Sequence, residues 1–368
     1  MTQLSVPFMQ FRGGSSKGLY FLASDLPADP AERNQWLLSA VGRDARQIDG
    51  LGGGDPLTSK VGIIALSSRD DADIDYLFVQ VVVGENRVDT TPNCGNILAG
   101  VGPFAVETGL MAVQGPETRV RVHMLNSGKL CELVLQTPNG AMNYDGDTRI
   151  DGVPGTSAPV ICNYMDVAGS ACGSLLPTGN VLDVVDGIEV TCVDNGMPVV
   201  VLRAEDMGIV GDESPAELNA NEVLKARLQS IRLQLGPMMN LGDVDGAAVP
   251  KMCLISEPQR GGVINTRTFI PYQCHAAIGV LGAVSAATAC ILPGSVAEGI
   301  AQVDLTTLGI DNPLQLSVEH PSGEFSVSLA VDNNGERPDV RKAGLLRTAR
   351  LLSRGEVFIS ERLINQGS

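Results

Sequence analysis

Four short stretches carry side chains able to do chemistry. In PNCGNILAGVGPF (Pro92–Phe104) a lone thiol, Cys94, stands between Asn93 and the pair Gly95-Asn96, ahead of small apolar residues. At a helix start its pKa would be lowered by the dipole, and the competing reading is a small packing residue. QIDGLGGGDPLTSKVGII (Gln47–Ile64) sets Gly53 and Gly54 in a backbone-exposing loop and Lys60 at the mouth of a strand. It is not a phosphate loop, because Lys60 follows Ser59 and precedes Val61 rather than completing Gly-Lys-Ser/Thr. An amine beside apolar residues loses its charge more readily and serves as a base; a surface lysine at a strand start is the plain alternative. FRGGSSKGLYF offers Ser15 and Ser16 in a glycine turn.

The last set lies far along the chain: Arg267, the neighbours Cys274 and His275, and Ser322 and Gly323 within HPSGEF. Arg267 would bind a carboxylate bidentately or pair within a strand. His275 is the one histidine beside a cysteine, and Ser322 and Gly323 present turn donors. Amine, hydroxyls, backbone N–H groups and cationic contacts together suit carbon-acid chemistry, in which a proton leaves carbon and an enolate is held.

Such groups need a frame, and the sequence supplies one twice. FRGGSSKGLYFLASDL resembles VDNGMPVVVLRAEDM, with Asp25 aligned to Asp206 at a spacing of 181 residues. ENRVDTTPNCGNILAGVGPF resembles NTRTFIPYQCHAAIGVLGAV, with Arg87 on Arg267, Cys94 on Cys274 and Gly102 on Gly282 at a spacing of 180. Each copy reads as β-branched strands followed by one uncharged helix entered through the cysteine, and a helix apolar all round must be enclosed. The expectation is α+β: two pseudo-symmetric lobes, each a mainly antiparallel sheet wrapped around a central helix. The lobes span 1–183 and 184–343, with 344–368 returning to the first. Cys94 and Cys274 would then face one cleft from two helix starts. Pro103 should kink the first helix or mark a later start.

Composition narrows the partners. A formal charge of −16 argues against nucleic acid and anionic membranes. The apolar run Ala276–Leu292 is slightly short and rich in small residues, so it reads as a buried helix and no membrane span is expected. MTQLSVPFMQFR lacks a secretory pattern, which makes the cytoplasm the expected location. Of eight cysteines none shows CxxC spacing, so neither a metal site nor a disulfide framework is expected, and most read as core residues. No dinucleotide fingerprint appears, so no cofactor is expected. Homo-oligomerisation is left open.

Taken together and in order from Phe11 to about Arg350, RGGSSKG, QIDGLGGGDPLTSK, NCGNILAGVGPF, NTRTFIP, CHAAIGVLGA and HPSGEF resemble the PrpF family of the diaminopimelate-epimerase-like fold. That family includes 2-methylaconitate isomerases, methylitaconate isomerase and 4-oxalomesaconate tautomerase. NGMPVV, IRLQLGPMMNLGDV, PKMCLIS and GLLRTARLL are most similar to the oxalomesaconate branch. The resemblance implies a cofactor-independent isomerase of gallate degradation that shifts a proton in a small unsaturated tricarboxylate. It places the family's proton-transfer lysine on Lys60, its serine on Ser16 and its cysteine on Cys94. Ser15 stands where threonine is common, and keeps the hydroxyl. With Ser15, the expected substrate contacts are Gly53, Gly54, Asn93, Gly95, Asn96, Arg267, Cys274, His275, Ser322 and Gly323. The alternatives are a 2-methylaconitate cis-trans isomerase and a non-catalytic tricarboxylate binder.

Overall fold

The computed structural model describes residues 3–165, 167–307, 309–310, 313–332 and 338–360. The chain divides into two compact units, Met1–Met165 with Leu346–Ser368, and Asp166–Leu345. The sequence set the joins at 183/184 and 343/344; residues 361–368 of that expected return lie outside the described residues.

The first unit runs β1 (Gln3–Gly13), β2 (Ser16–Leu22), α1 (Pro30–Val41), β3 (Lys60–Leu66), β4 (Ile74–Val81), β5 (Val88–Asp89), α2 (Gly95–Leu98), α3 (Val101–Glu107), β6 (Glu117–Met124), β7 (Lys129–Gln136) and β8 (Pro159–Tyr164). Its strands follow β1-β2-β3-β4-β6-β7-β8, with β5 beside β4. β2–β3 and β4–β6 are parallel and the remaining neighbours antiparallel. α1 starts on an Asp29 cap that accepts from the Glu32 N–H, and packs Leu37, Leu38 and Val41 with Phe21, Val61 and Val79. Where one helix was expected after Cys94 there are two. Pro103 sits in the first turn of α3, where its missing N–H has no intrahelical role, and the Phe104 N–H to Gly100 carbonyl bond (2.9 Å) follows it. Ile97, Leu98, Val101 and Ala105 are fully enclosed.

The second unit runs β9 (Asp183–Val185), β10 (Ile188–Asp194), β11 (Pro198–Arg203), α4 (Pro215–Ala220), α5 (Glu222–Met238), β12 (Lys251–Ser256), β13 (Ile264–Phe269), α6 (Val280–Ile291), β14 (Leu314–His320), β15 (Gly323–Asp332) and β16 (Asp339–Ser360). Its strands follow β9-β10-β11-β12-β13-β14-β15, and β15 pairs with the start of β16. β11–β12 and β13–β14 are parallel. Strand for strand this repeats the first unit: hairpin, parallel step, antiparallel pair, parallel step, hairpin. The helices recur as well, α5 lying between β11 and β12 as α1 does between β2 and β3, and α6 between β13 and β14 as α2 and α3 do between β4 and β6. β16 continues into the first unit, where Ala349 to Ser360 pair antiparallel with Gly13 to Gln3.

α6 corrects one expectation. It is buried from Gly282 to Ile291, but it begins at Val280 on a Gly279 cap, so Cys274 and His275 are not at a helix start. Gly279 takes an extended conformation, and the chain between His275 and it is irregular. No helix among the described residues is long and apolar enough to cross a membrane.

Candidate active site

In the first unit the predicted residues gather at one end of the sheet. Gly13 and Ser16 close the β1–β2 hairpin over Gly14 and Ser15, and Gly14 has a φ of +52°, a conformation a side chain would strain. The turn is clamped on both sides. Arg12 Nη1 donates to the Gly14 carbonyl at 3.0 Å and to Thr348, and the Gly14 N–H donates to the Thr348 carbonyl at 2.9 Å. From the other side comes Asn96: a Cβ on Gly13 would stand 2.3 Å from its carbonyl oxygen, and one on Gly14 2.1 Å from its Oδ1. Asn96 Nδ2 donates to Ser15 Oγ at 3.1 Å and to Ser16 Oγ at 3.2 Å. Both serine oxygens thus act as acceptors from one amide, and their own O–H groups are left to donate. Ser16 is buried and Ser15 half-buried.

Lys60 opens β3 just as Ser16 opens β2, and the parallel register sets Gly18 opposite Lys60. Only glycine fits there, since a Cβ would meet the Lys60 carbonyl at 2.8 Å and Ile97 at 2.9 Å. Lys60 Nζ donates to Gln80 Oε1 at 3.0 Å and lies 5.1 Å from the centre of the Phe78 ring.

Cys94 is the half-buried cap residue of α2, which at four residues sums few peptide dipoles. Two phenols hold this segment: Tyr20 donates to the Ile97 carbonyl at 2.6 Å and Tyr76 to the Cys94 carbonyl at 3.4 Å. Burial pushes both phenols well above their usual pKa, so they remain donors. Asn93 is exposed and Gly95 half-buried. The glycine loop has a structural occupation: it wraps Gln47, whose Oε1 accepts from the Gly54 N–H at 2.9 Å and from Ser59 Oγ at 2.7 Å. The Gly54 donor is therefore already engaged. Gly53 is exposed, and a Cβ there would meet Thr58 Oγ1 at 2.4 Å.

The five residues of the second unit form their own group. Arg267 is buried; its Nε donates to the Glu213 carbonyl at 2.7 Å, and Nη1 donates to Asn265 Oδ1 and the Thr266 carbonyl at 2.9 Å each. Cys274 is buried in a bridge to Phe269, with its N–H on Asn219 Oδ1 at 2.7 Å. Burial pushes its thiol up to about 11. His275 is exposed, and its N–H donates to the Thr268 carbonyl at 2.9 Å. Ser322, in the two-residue turn before Gly323, donates from both N–H (3.1 Å) and Oγ (2.6 Å) to the Ala276 carbonyl. Each of these groups is fastened by partners outside the set.

Sequence reasoning passed over Gln80, Gln47 and the two phenols. The signal for Gln80 was present: it is the one polar side chain inside the run LFVQVVV. Cys131, Cys162, Cys172, Cys192, Cys253 and Cys290 are buried free thiols, as their apolar surroundings suggested.

Comparison with known proteins gives this geometry a context. Residues 3–360 match the family described as PrpF protein. A 4-oxalomesaconate tautomerase of Pseudomonas putida is 57% identical over 360 residues, 98% of this chain and 97% of that protein. A (4E)-oxalomesaconate Delta-isomerase of Novosphingobium sp. is 54% identical over 356 residues, 96% of this chain and 98% of that protein. The crystal structure of a methylitaconate-delta-isomerase superposes with a TM-score of 0.85 at 33% identity, over 99% of this chain and 98% of that one.

Proposed function

The chain belongs to the PrpF family, and from that membership we propose that it is an isomerase that tautomerises 4-oxalomesaconate by moving one proton from carbon. The observation that carries this reading is the 57% identity, over nearly the full length of both chains, to a protein named for that activity. The first unit's geometry supports it, because the reaction needs one base and one donor to a developing oxyanion.

The substrate's methylene lies between a ketone and a conjugated carboxylate, so its C–H bond is already weakened. Lys60 takes that proton; the electron pair moves onto the ketone oxygen, and an O–H bond forms as the C–H bond is lost. No electrons are exchanged with another partner. Ser15 and Ser16, whose oxygens are turned toward Asn96 Nδ2, aim their O–H groups at the oxyanion. A fixed base of this kind contributes about 10²–10⁴-fold. Cys94 is a neighbour of the reacting groups rather than the base. The reaction needs no cofactor, since a base and hydroxyl donors complete the proton balance.

The test is purified protein with 4-oxalomesaconate in D2O, followed by NMR, with 2-methylaconitate as the competing substrate. Deuterium entering the methylene and the enol form appearing support the reading. Turnover of 2-methylaconitate alone overturns it, and a shifted carbon–carbon double bond as first product replaces tautomerisation by Delta-isomerisation.

A further inference from the structure

We propose that Gln80 is a positioning residue for the Lys60 amine: a neutral tether that fixes the direction of its lone pair. The inference rests on the reading of Lys60 as the base. Gln80 sits directly across the β3–β4 pair from Lys60. Its amide is held in one orientation, because the two N–H groups of Nε2 are shared among three carbonyl oxygens, those of Pro56 (3.1 Å), Ser59 (3.0 Å) and Val81 (3.1 Å). Turning it over would press Oε1 against those three oxygens. Oε1 is therefore presented to Lys60, at 3.0 Å from Nζ.

An amide oxygen accepts from an ammonium and from a neutral amine alike. One N–H of Lys60 stays on Gln80 in either state, and Phe78 covers another side of the nitrogen. What remains free is one direction, the one in which a lone pair or a returning proton points. A carboxylate in the same place would stabilise the ammonium and hold the proton. The carboxylates on elements packed against β3 are engaged elsewhere, Asp25 with Ser24, Asp75 with His123 and Glu107 with Tyr144; the other ionisable groups there are Lys17, Tyr20, Tyr76 and Cys94. The tether is also anchored to the glycine loop, since Ser59, whose carbonyl receives Nε2, donates its Oγ to Gln47.

The experiment compares Gln80→Met, Gln80→Glu and Lys60→Met, each with its fold checked by circular dichroism. Gln80→Met should lower kcat about tenfold or more while KM stays within about threefold. If that variant does not fold, Gln80→Asn, which draws the amide back by one methylene, takes its place with the same expectation. In Gln80→Glu the acid limb of the kcat/KM profile should move up by at least about one pH unit, with activity returning above it. A packing role leaves the kcat-to-KM split of Gln80→Met unmoved, and the limb shift in Gln80→Glu checks that Lys60 is the titrating base. Wild-type kcat and pH profile in the Gln80 variants beside an inactive Lys60→Met overturn the tether alone. An active Lys60→Met overturns the base assignment itself.

Discussion

Lys60 and Lys251 occupy the same place in two copies of one topology, each opening the strand that runs parallel to the second strand of the preceding hairpin. Their surroundings differ. Lys60 has a fixed acceptor and an aromatic face, whereas Lys251 has no hydrogen bond or ion pair among the described residues. It lies against Gly279, where a Cβ would stand 3.4 Å from its Nζ, and burial lowers its pKa. The cysteines repeat the contrast. Cys94 is half-buried at a cap; Cys274 is enclosed, and Asn219 takes both its N–H and its carbonyl. Duplicating a fold copies positions but not environments. One unit leaves hydroxyls free to donate, while the other joins its polar groups to each other.

The most severe test asks whether the shared frame is as strict as it looks. Ala283 is fully enclosed in α6, so Ala283→Asp should cost at least about 3 kcal/mol in denaturant unfolding, and Ala105→Asp in α3 should behave alike. A tolerated carboxylate at either site would mean that the central helices are not equivalent cores.

The two lysines should then part company. Lys60→Met should lower kcat by at least about 10²-fold with the fold intact, whereas Lys251→Met should keep kcat within about fivefold. The folded state disfavours the charged form of Lys251, so removing that amine at neutral pH should leave Tm unchanged or raise it. Equal losses of kcat would remove the contrast drawn between the two amines.

Glu319 sharpens the picture of the second unit as internally fastened. It is buried, which alone would raise its pKa, yet the N–H groups of Gln259, Gly262 and Arg260, at 2.7 to 2.8 Å, hold it below the usual carboxylate range. Its stabilisation is full above the unfolded value of about 4.3 and is lost as pH falls through the folded one. Glu319→Gln should therefore cost about 2 kcal/mol at pH 7 and flatten the acid side of a Tm-against-pH curve. The smallest effects belong to the thiols. Cys94→Ser should lower kcat less than Lys60→Met, and Cys274→Ser should not change it beyond about twofold; an inactive Cys94→Ser beside an active Lys60→Met would reverse the roles assigned in the first unit.

Much of this could be read from residue order. The spacing of Cys94 to Cys274 revealed the duplication because each repeat keeps its order of strands, and the uncharged stretches revealed the enclosed helices. The candidate cluster was readable in part, since Ser15, Ser16 and Asn96 each lie in a short motif and the structure joins them by hydrogen bonds. It was not readable where a partner is distant. Arg267 reads as an anion ligand, and nothing local shows that its Nε also donates to the carbonyl of Glu213, 54 positions away. The start of α6 was misjudged because Ala276 and Ala277 suit a helix, whereas the Ser322 turn holds the Ala276 carbonyl outside one. Gln80 stood out as the one polar side chain in LFVQVVV, but its pairing with Lys60 became visible only with the cross-strand register, which no local pattern encodes.

The long strand β16 gives synthesis on the ribosome a direction. Residues 166–345 form a unit contiguous in the chain, free to fold once they emerge, but β1 gains its second partner only when Ala349 to Ser360 have left the exit tunnel. Until then Met9–Gly13 has only β2 beside it and Gln3–Phe8 has no strand partner at all, an edge open to another nascent chain or a chaperone. The Ser15 and Ser16 turn, which has Thr348 behind Gly14, is therefore completed only after a segment more than 300 residues further along the chain has been made.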